Sequence, residues 1–185
     1  RFIPVYLGSA LKNMGVNFLM DAVNITLPSP LDKGMIRGHI KGVNPRTLEE
    51  TEHEPDPSAP FAAFVFKSLI DPYTGKLSIF RIFSGAIHSD ATVLNSTRDG
   101  REKLTHIYPM EGKKLKEVSK AEAGDIVAVS KLKDTHTNDT FCRRDHPVHL
   151  DPIPYPESVA TAAVQVRKRG EEDKLAAGLH KLHEE

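Results

Sequence analysis

Short β-prone runs separated by turn signals fill the chain from Phe61 to Cys142 and constrain its fold more than any other feature. The runs cover residues 61–70, 77–83, 91–94, 103–108, 126–129 and 140–142. Glycine-containing turns such as Ser84-Gly85 and Asp99-Gly100 lie between them, and no helical pattern interrupts the series. Short strands at this spacing predict a mainly β fold with a closed antiparallel barrel of six strands.

The residues before this region predict one strand and one helix. Phe2 to Gly8 is a short apolar run that ends in glycine, as a buried strand does. An amphipathic pattern from Val16 to Leu27 then predicts a helix that Pro28 ends. A strand followed by a helix is typical of the last unit of an α/β domain, which needs a sheet to pack on.

Two proline-rich stretches flank the β-rich region and are predicted to be linkers. Residues 31–60 contain an acidic run at 49–56 without periodicity, which predicts a mobile tip. Residues 146–156 contain four prolines. Beyond them, 158–166 is predicted as a strand and 171–185 as a helix, the start of an α+β domain. The predicted domains are therefore 1–30, 61–145 and 157–185, joined by linkers at 31–60 and 146–156.

Composition limits the classes of function. The 25 basic and 25 acidic residues cancel, so the chain has no global positive field for nonspecific DNA binding, and RNA contacts would need local patches. No apolar run is long enough for a membrane span. Cys142 is the single cysteine, which excludes an internal disulfide and fits a reducing compartment. We therefore expect a cytoplasmic protein with neither membrane nor DNA as a partner.

Short motifs follow one another along the chain in an order typical of one protein family. They are Gly8-Ser9-Ala10-Leu11-Lys12-Asn13 and Leu27-Pro28-Ser29-Pro30 near the start, Phe66-Lys67, Asp71-Pro72, Gly75, Arg81 and Ser84-Gly85 early in the β-rich region, Ala123-Gly124-Asp125-Ile126, Leu132-Lys133-Asp134 and Asp139-Thr140 at its end, and Pro156-Glu157 with Lys174-Leu175 beyond it. Together they resemble elongation factor G, a translational GTPase. They match the end of its GTP-binding domain, its second domain, a translation-factor β-barrel, and the start of its third domain.

Three positions depart from the family's pattern. The family typically has glycine where this chain has Asp90, Lys131 and Asn138. Asparagine tolerates a positive φ angle, whereas lysine is harder to accommodate there. These departures indicate an elongation-factor-G-like paralogue, one that recycles or protects ribosomes, at least as much as the main translocase.

The resemblance implies a division of labour between this chain and its parent protein. In the parent, GTP and Mg²⁺ would be bound and GTP hydrolysed, but this chain has no Gly-x-x-x-x-Gly-Lys-Ser/Thr and no Asn-Lys-x-Asp motif. Only Ser9, Ala10 and Leu11, the family's guanine-reading segment, are present. We therefore expect no catalytic residue and no bound cofactor in this chain, which would serve in ribosome docking and in coupling to the remaining domains of the factor.

Basic residues on predicted turns are the candidate contacts to small-subunit ribosomal RNA, which the resemblance implies as the partner. The candidates are Arg98, Arg101 and Lys103 around one turn, Tyr73 and Lys76 in the first hairpin, and Arg81. Flexible cations on protruding turns suit phosphate contacts. The alternatives are solvated loop charges, a Tyr73 that packs on its own barrel, and an Arg81 that is paired internally.

Two other kinds of site have weaker support in the sequence. The nine histidines include the pairs His146/His149 and His180/His183, but neither pair has a third close ligand, so we expect no metal site. A β-barrel module for protein-protein contact, unrelated to translation, remains the alternative function from another class.

Overall fold

A computed structural model describes residues 3–30, 32, 40–71, 75–112 and 115–184 of the chain. The chain divides into two compact units, Arg1–Gly38 and His39–Glu185. The helices are α1 Val16–Thr26 and α2 Glu172–Glu184. The strands are β1 Ile40–Val43, β2 Glu50–His53, β3 Ala62–Asp71, β4 Gly75–Ser84, β5 Ala86–His88, β6 Ala91–Asn95, β7 Gly100–Leu104, β8 Ile107–Pro109, β9 Lys120–Glu122, β10 Ile126–Ser130, β11 Thr140–Cys142 and β12 His149–Leu150.

The first unit consists of a turn and the helix α1. Ser9 and Met14 bridge each other through both backbone hydrogen bonds, and Gly15 precedes the helix with a φ of 73°. The predicted helix is confirmed. The strand predicted at 2–8 does not form over its described residues, 3–8. The apolar residues of α1 that set the helical pattern, Leu19, Met20 and Val23, are exposed, and only Ala22 is buried in this helix.

An antiparallel sheet of seven strands, in the order β7-β6-β11-β3-β4-β10-β8, forms most of the second unit. The sheet is strongly curled, and β5 and β9 form a separate short antiparallel pair. The predicted mainly β, barrel-type fold is confirmed, with seven strands in the main sheet where the sequence predicted six. The sequence pattern predicts a single run at 103–108 and so misses the break between β7 and β8.

The main core lies on one face of this sheet. Phe80 and Phe141 are fully buried and meet edge to face, with their ring centroids 5.3 Å apart. Such a pair adds stability beyond its buried area. Side chains from the neighbouring strands of the sheet surround the two rings. These are Ala63, Val65, Ile82, Val93, Leu104, Ile107, Val127 and Val129.

The aromatic residues Phe64 and Phe66 of β3 do not belong to the main core. Val65 points into the main core, so its neighbours Phe64 and Phe66 lie on the outer face. There Phe64 is buried against Val148 and Leu150, whereas Phe66 is only partly buried. The pairing of β3 with β4 shifts at a bulge between Val65 and Lys67, which interrupts the alternation.

A small antiparallel sheet, β12-β1-β2, corrects the expectation of irregular structure at 31–60 and 146–156. The acidic stretch forms β2, in which Glu50 and Glu52 alternate with the half-buried Thr51 and His53. The alternation exposes the carboxylates, so the acidic composition is compatible with a strand. Gly42 of β1 lies against Val148 and the carbonyl of His149 with no room for a Cβ atom.

The C-terminal part contains one of its two predicted elements. Helix α2 is confirmed, with Glu172 and Asp173 in its first turn as the helix dipole favours. Residues 158–166 are largely exposed and form no strand, because no described strand lies beside them to pair with their backbone. No helix in the described residues is long and apolar enough to cross a membrane.

The three positions at which the sequence departs from the family's glycines are all left-handed. The φ angle is 65° at Asp90, 61° at Lys131 and 77° at Asn138. Asparagine and aspartate visit this region readily, whereas an ordinary side chain costs about 1–2 kcal/mol there. Asp90 also pairs with Lys103, and Asn138 Oδ1 accepts a hydrogen bond from the Ile153 amide. Lys131 is thus the strained member of the three.

We predict that Phe80→Ala lowers the free energy of unfolding by about 3–5 kcal/mol, because it empties the centre of the core. Phe66→Ala, on the outer face and partly exposed, should cost less than half as much. Urea unfolding of both variants, followed by circular dichroism, measures the two losses. Equal losses would contradict the assignment of the two faces of the sheet.

Candidate functional site

The β6-β7 hairpin presents the main cluster of predicted contact residues. Its turn comprises residues 96–99, with Asp99 in the left-handed region at a φ of 52°. Asn95 Oδ1 accepts a hydrogen bond from the Arg98 amide at 3.3 Å, which shapes the turn. Strand β7 then alternates, so that Glu102 and Leu104 face inward and Arg101 and Lys103 face solvent.

Arg98 forms two ion pairs within the chain. Its Nε donates to Asp139 Oδ2 at 3.0 Å, and its Nη1 lies 3.4 Å from Asp134 Oδ1. The Asp139 side chain is only 3% exposed and also accepts hydrogen bonds from Asn95 Nδ2 at 2.8 Å and the His136 amide at 2.9 Å. A buried carboxylate needs such partners, so Arg98 stabilises the fold whatever else it contacts.

Glu102 is a second buried carboxylate on the same hairpin. It is 3% exposed and accepts hydrogen bonds from the amides of Lys133 and Asp134 at 3.1 and 2.8 Å and from Thr135 Oγ1 at 3.1 Å. Glu102 and Asp139 therefore fasten residues 131–139, the loop between β10 and β11, to the β6-β7 hairpin. We call this pair of segments the basic end, since it carries Arg98, Arg101, Lys103, Lys131 and Lys133.

Lys103 and Arg101 have different surroundings. Lys103 Nζ lies 2.8 Å from Asp90 Oδ1, and this bond holds the pKa of the Asp90 carboxyl below its usual range. The Arg101 side chain is exposed and forms no ion pair with a residue that the structure describes, although its backbone pairs with Leu94 in the sheet. The prediction that these residues contact RNA is untested, and Arg101 is the cation best placed for it.

The β3-β4 hairpin carries the other candidates. Tyr73 lies outside the described residues, and Lys76 is half-buried in β4, opposite Ile70. Arg81 lies over the ring of Phe83, 5.8 Å from its centroid, at the edge of a cleft of about 570 Å³ that Phe66 and Ile126 also line. Arg81 thus has an internal aromatic partner, as the alternative reading supposed.

The Ser9-Ala10-Leu11 segment forms a tight exposed turn before α1. Ser9 Oγ accepts a hydrogen bond from the Lys12 amide at 3.3 Å, and the Ala10 carbonyl accepts one from the Asn13 amide at 3.2 Å. The amides of Ala10 and Leu11 donate to nothing in the described part of the chain. This geometry fits a backbone amide that donates to a base oxygen, but one or two amides do not make a nucleotide site.

Neither the histidines nor the cysteine builds a reactive centre in the described residues. No three His, Cys, Asp or Glu side chains there lie close enough together to hold a metal ion. Cys142 is buried, and burial raises the pKa of its thiol, which favours the unreactive protonated form.

Comparison with known proteins then decides the type of barrel. Residues 60–144 match the family model of elongation factor G domain 2. This stretch is similar to domain 2 of elongation factor G, and we call it domain 2. A crystal structure of a protein from Thermus thermophilus is similar to 97% of this chain, with a TM-score of 0.69 and 27% sequence identity. This chain spans 24% of that protein's length.

These matches confirm the resemblance that the motifs carried. The chain is similar to translation elongation factors, and its domain 2 contains the basic end. Sequence reasoning found the cations of the hairpin but missed Glu102 and Asp139, which hold the hairpin and the loop together. Asp139 stood inside a quoted motif, yet no local pattern indicated that its partner would be Arg98, 41 residues away.

We predict that Arg98→Glu lowers the free energy of unfolding of domain 2 by about 1–3 kcal/mol, because it sets a second carboxylate against the buried Asp139. Arg101→Glu, on the exposed side of the same hairpin, should change stability by no more than about 0.5 kcal/mol. Parallel urea titrations measure both. An unaffected Arg98 variant would mean that the Asp139 carboxylate does not depend on this guanidinium.

Proposed function

We propose that domain 2 docks an elongation-factor-G-like GTPase on the small ribosomal subunit through its basic end. The observation that carries the proposal is the match of residues 60–144 to elongation factor G domain 2. The exposed Arg101 on a hairpin held rigid by two buried carboxylates supports it, since phosphate recognition needs cations on protruding, positioned turns. The RNA partner, the cytoplasmic location and the translocase, recycling or protection role of the parent belong to the same proposal.

GTP and Mg²⁺ would be bound by the parent protein, with this chain contributing only the Ala10 turn to the guanine. A GTPase holds its nucleotide mainly through backbone amides and a lysine around the phosphates and a Ser or Thr on Mg²⁺. This sequence contains none of the motifs for these contacts. The chain's own role would be contact with the ribosome and transmission to the other domains.

Charge reversal at Arg101 tests the docking surface. In the full-length protein, Arg101→Glu should weaken binding to isolated small subunits several-fold and make the dependence of log affinity on log salt shallower by about 0.7–0.9, since one phosphate contact is lost. Pelleting of subunits across a salt series measures both quantities. Arg98 and Lys103 are left unchanged because both have internal carboxylate partners.

Arg144→Glu is the matched control. Arg144 is exposed and lies in the segment that follows β11, outside the basic end. The control should bind subunits like the wild type. Equal binding by the Arg101→Glu variant and the wild type would refute the docking proposal and favour a protein-protein role for the barrel.

A separate prediction concerns the nucleotide. Calorimetry of the 185-residue chain with GTP or GDP and Mg²⁺ should show no binding tighter than about millimolar, because the turn at Ala10 offers amides and no phosphate contact. A dissociation constant in the micromolar range would reveal a nucleotide site that the motifs do not account for.

A further inference from the structure

Lys131 combines an unfavourable backbone conformation with a side chain that has no partner in the described structure. Its φ is 61°, its side chain is exposed, and it makes no ion pair with any described residue. Among the described residues, the other non-glycine positions with positive φ are Asn13, Asp90, Asp99, Asn138 and Leu48. All of these except Leu48 are asparagine or aspartate, which tolerate the conformation, so Lys131 and Leu48 are the strained ones.

The loop that begins with Lys131 contacts both hairpins that carry candidate cations. Ser130, the residue before it, pairs with Leu77, so Lys131 leaves the sheet beside the β3-β4 hairpin and Lys76. Two residues later the Lys133 amide donates to Glu102, which lies between Arg101 and Lys103 on β7. The loop is anchored again where the Asn138 amide donates to the Val65 carbonyl at 2.8 Å. These bonds hold Lys131 and Lys133 in fixed positions between the two hairpins.

A glycine would adopt the backbone conformation of Lys131 without strain. A strained residue at such a position therefore indicates that its side chain has a function. We propose that Lys131 and Lys133 bind RNA phosphates and join the two hairpins into one continuous phosphate-binding surface with Arg101. Both lysines are exposed and, like Arg101, form no ion pair with a described residue, so their charges are available to a polyanion. This inference rests on the proposed docking of domain 2 on ribosomal RNA.

Replacing Lys131 by glycine separates this role from a structural one. Lys131→Gly removes the strain together with the charge, so the amides of β10 and β11 should exchange hydrogen no faster than in the wild type. Binding of the full-length protein to small subunits should nevertheless fall about 3- to 10-fold. The slope of log affinity against log salt should become shallower by less than about 0.9, the change expected for one phosphate contact. Opposite effects on folding and binding are not expected of a residue that merely supports the fold.

Four further variants complete the test. Lys131→Gln and Lys133→Gln should each weaken subunit binding, whereas Lys131→Arg should keep it, because the charge and not the ammonium geometry is needed for a phosphate contact. Leu48→Gly also replaces a left-handed residue by glycine, in a turn between β1 and β2, and should bind like the wild type.

The outcomes distinguish this inference from the docking proposal on which it rests. Wild-type binding by Lys131→Gly and Lys131→Gln, together with weak binding by Arg101→Glu, would overturn the role of the lysines and leave docking by the hairpin intact. Wild-type binding by the Arg101 variant as well would overturn both. A loss of binding in Leu48→Gly equal to that in Lys131→Gly would also overturn the inference, since the effect would then come from the backbone.

Discussion

Two buried carboxylates determine the shape of the basic end. Asp139 and Glu102 together accept six hydrogen bonds, from three amides of the β10-β11 loop and from Asn95, Arg98 and Thr135. Burying a carboxylate costs free energy unless its oxygens accept hydrogen bonds. A movement of the loop or of the hairpin would therefore expose one of these carboxylates or leave it buried without partners. The rigidity of the surface therefore follows from an electrostatic requirement inside the protein and not from its exposed cations.

The cations of the basic end fall into two groups by their ion pairs. Arg98 and Lys103 lie against Asp139 and Asp90 and neutralise charges within domain 2. Arg101, Lys131 and Lys133 have no such partner among the described residues and are free to meet an external anion. A count of basic residues would treat all five alike, whereas their pairing shows which charges a polyanion could use without competing with the fold.

The sequence predicted the elements whose signals are local. The turns at Ser84-Gly85 and Asp99-Gly100, the two helices and the barrel class all follow from patterns within about ten residues of one another. β2 was missed because a strand of alternating glutamates has no apolar signal, and the strand predicted at 158–166 does not form because apolar alternation alone does not supply a pairing partner. The hydrogen bonds of the basic end could not be predicted from local patterns, since five of the six join Glu102 or Asp139 to partners 31 to 44 residues away in the chain.

The small sheet β12-β1-β2 has a mechanical consequence for the barrel. The chain runs into domain 2 through β1 and out of it through β12, and these two strands are antiparallel neighbours, with Gly42 opposite Leu150 and Val43 opposite His149. Tension between the incoming and outgoing segments would peel the two strands apart one pair at a time, from the open end inward. Such a force would separate β1 from β12 before it deformed the barrel. The geometry of the basic end would therefore stay constant while the segments on either side were displaced.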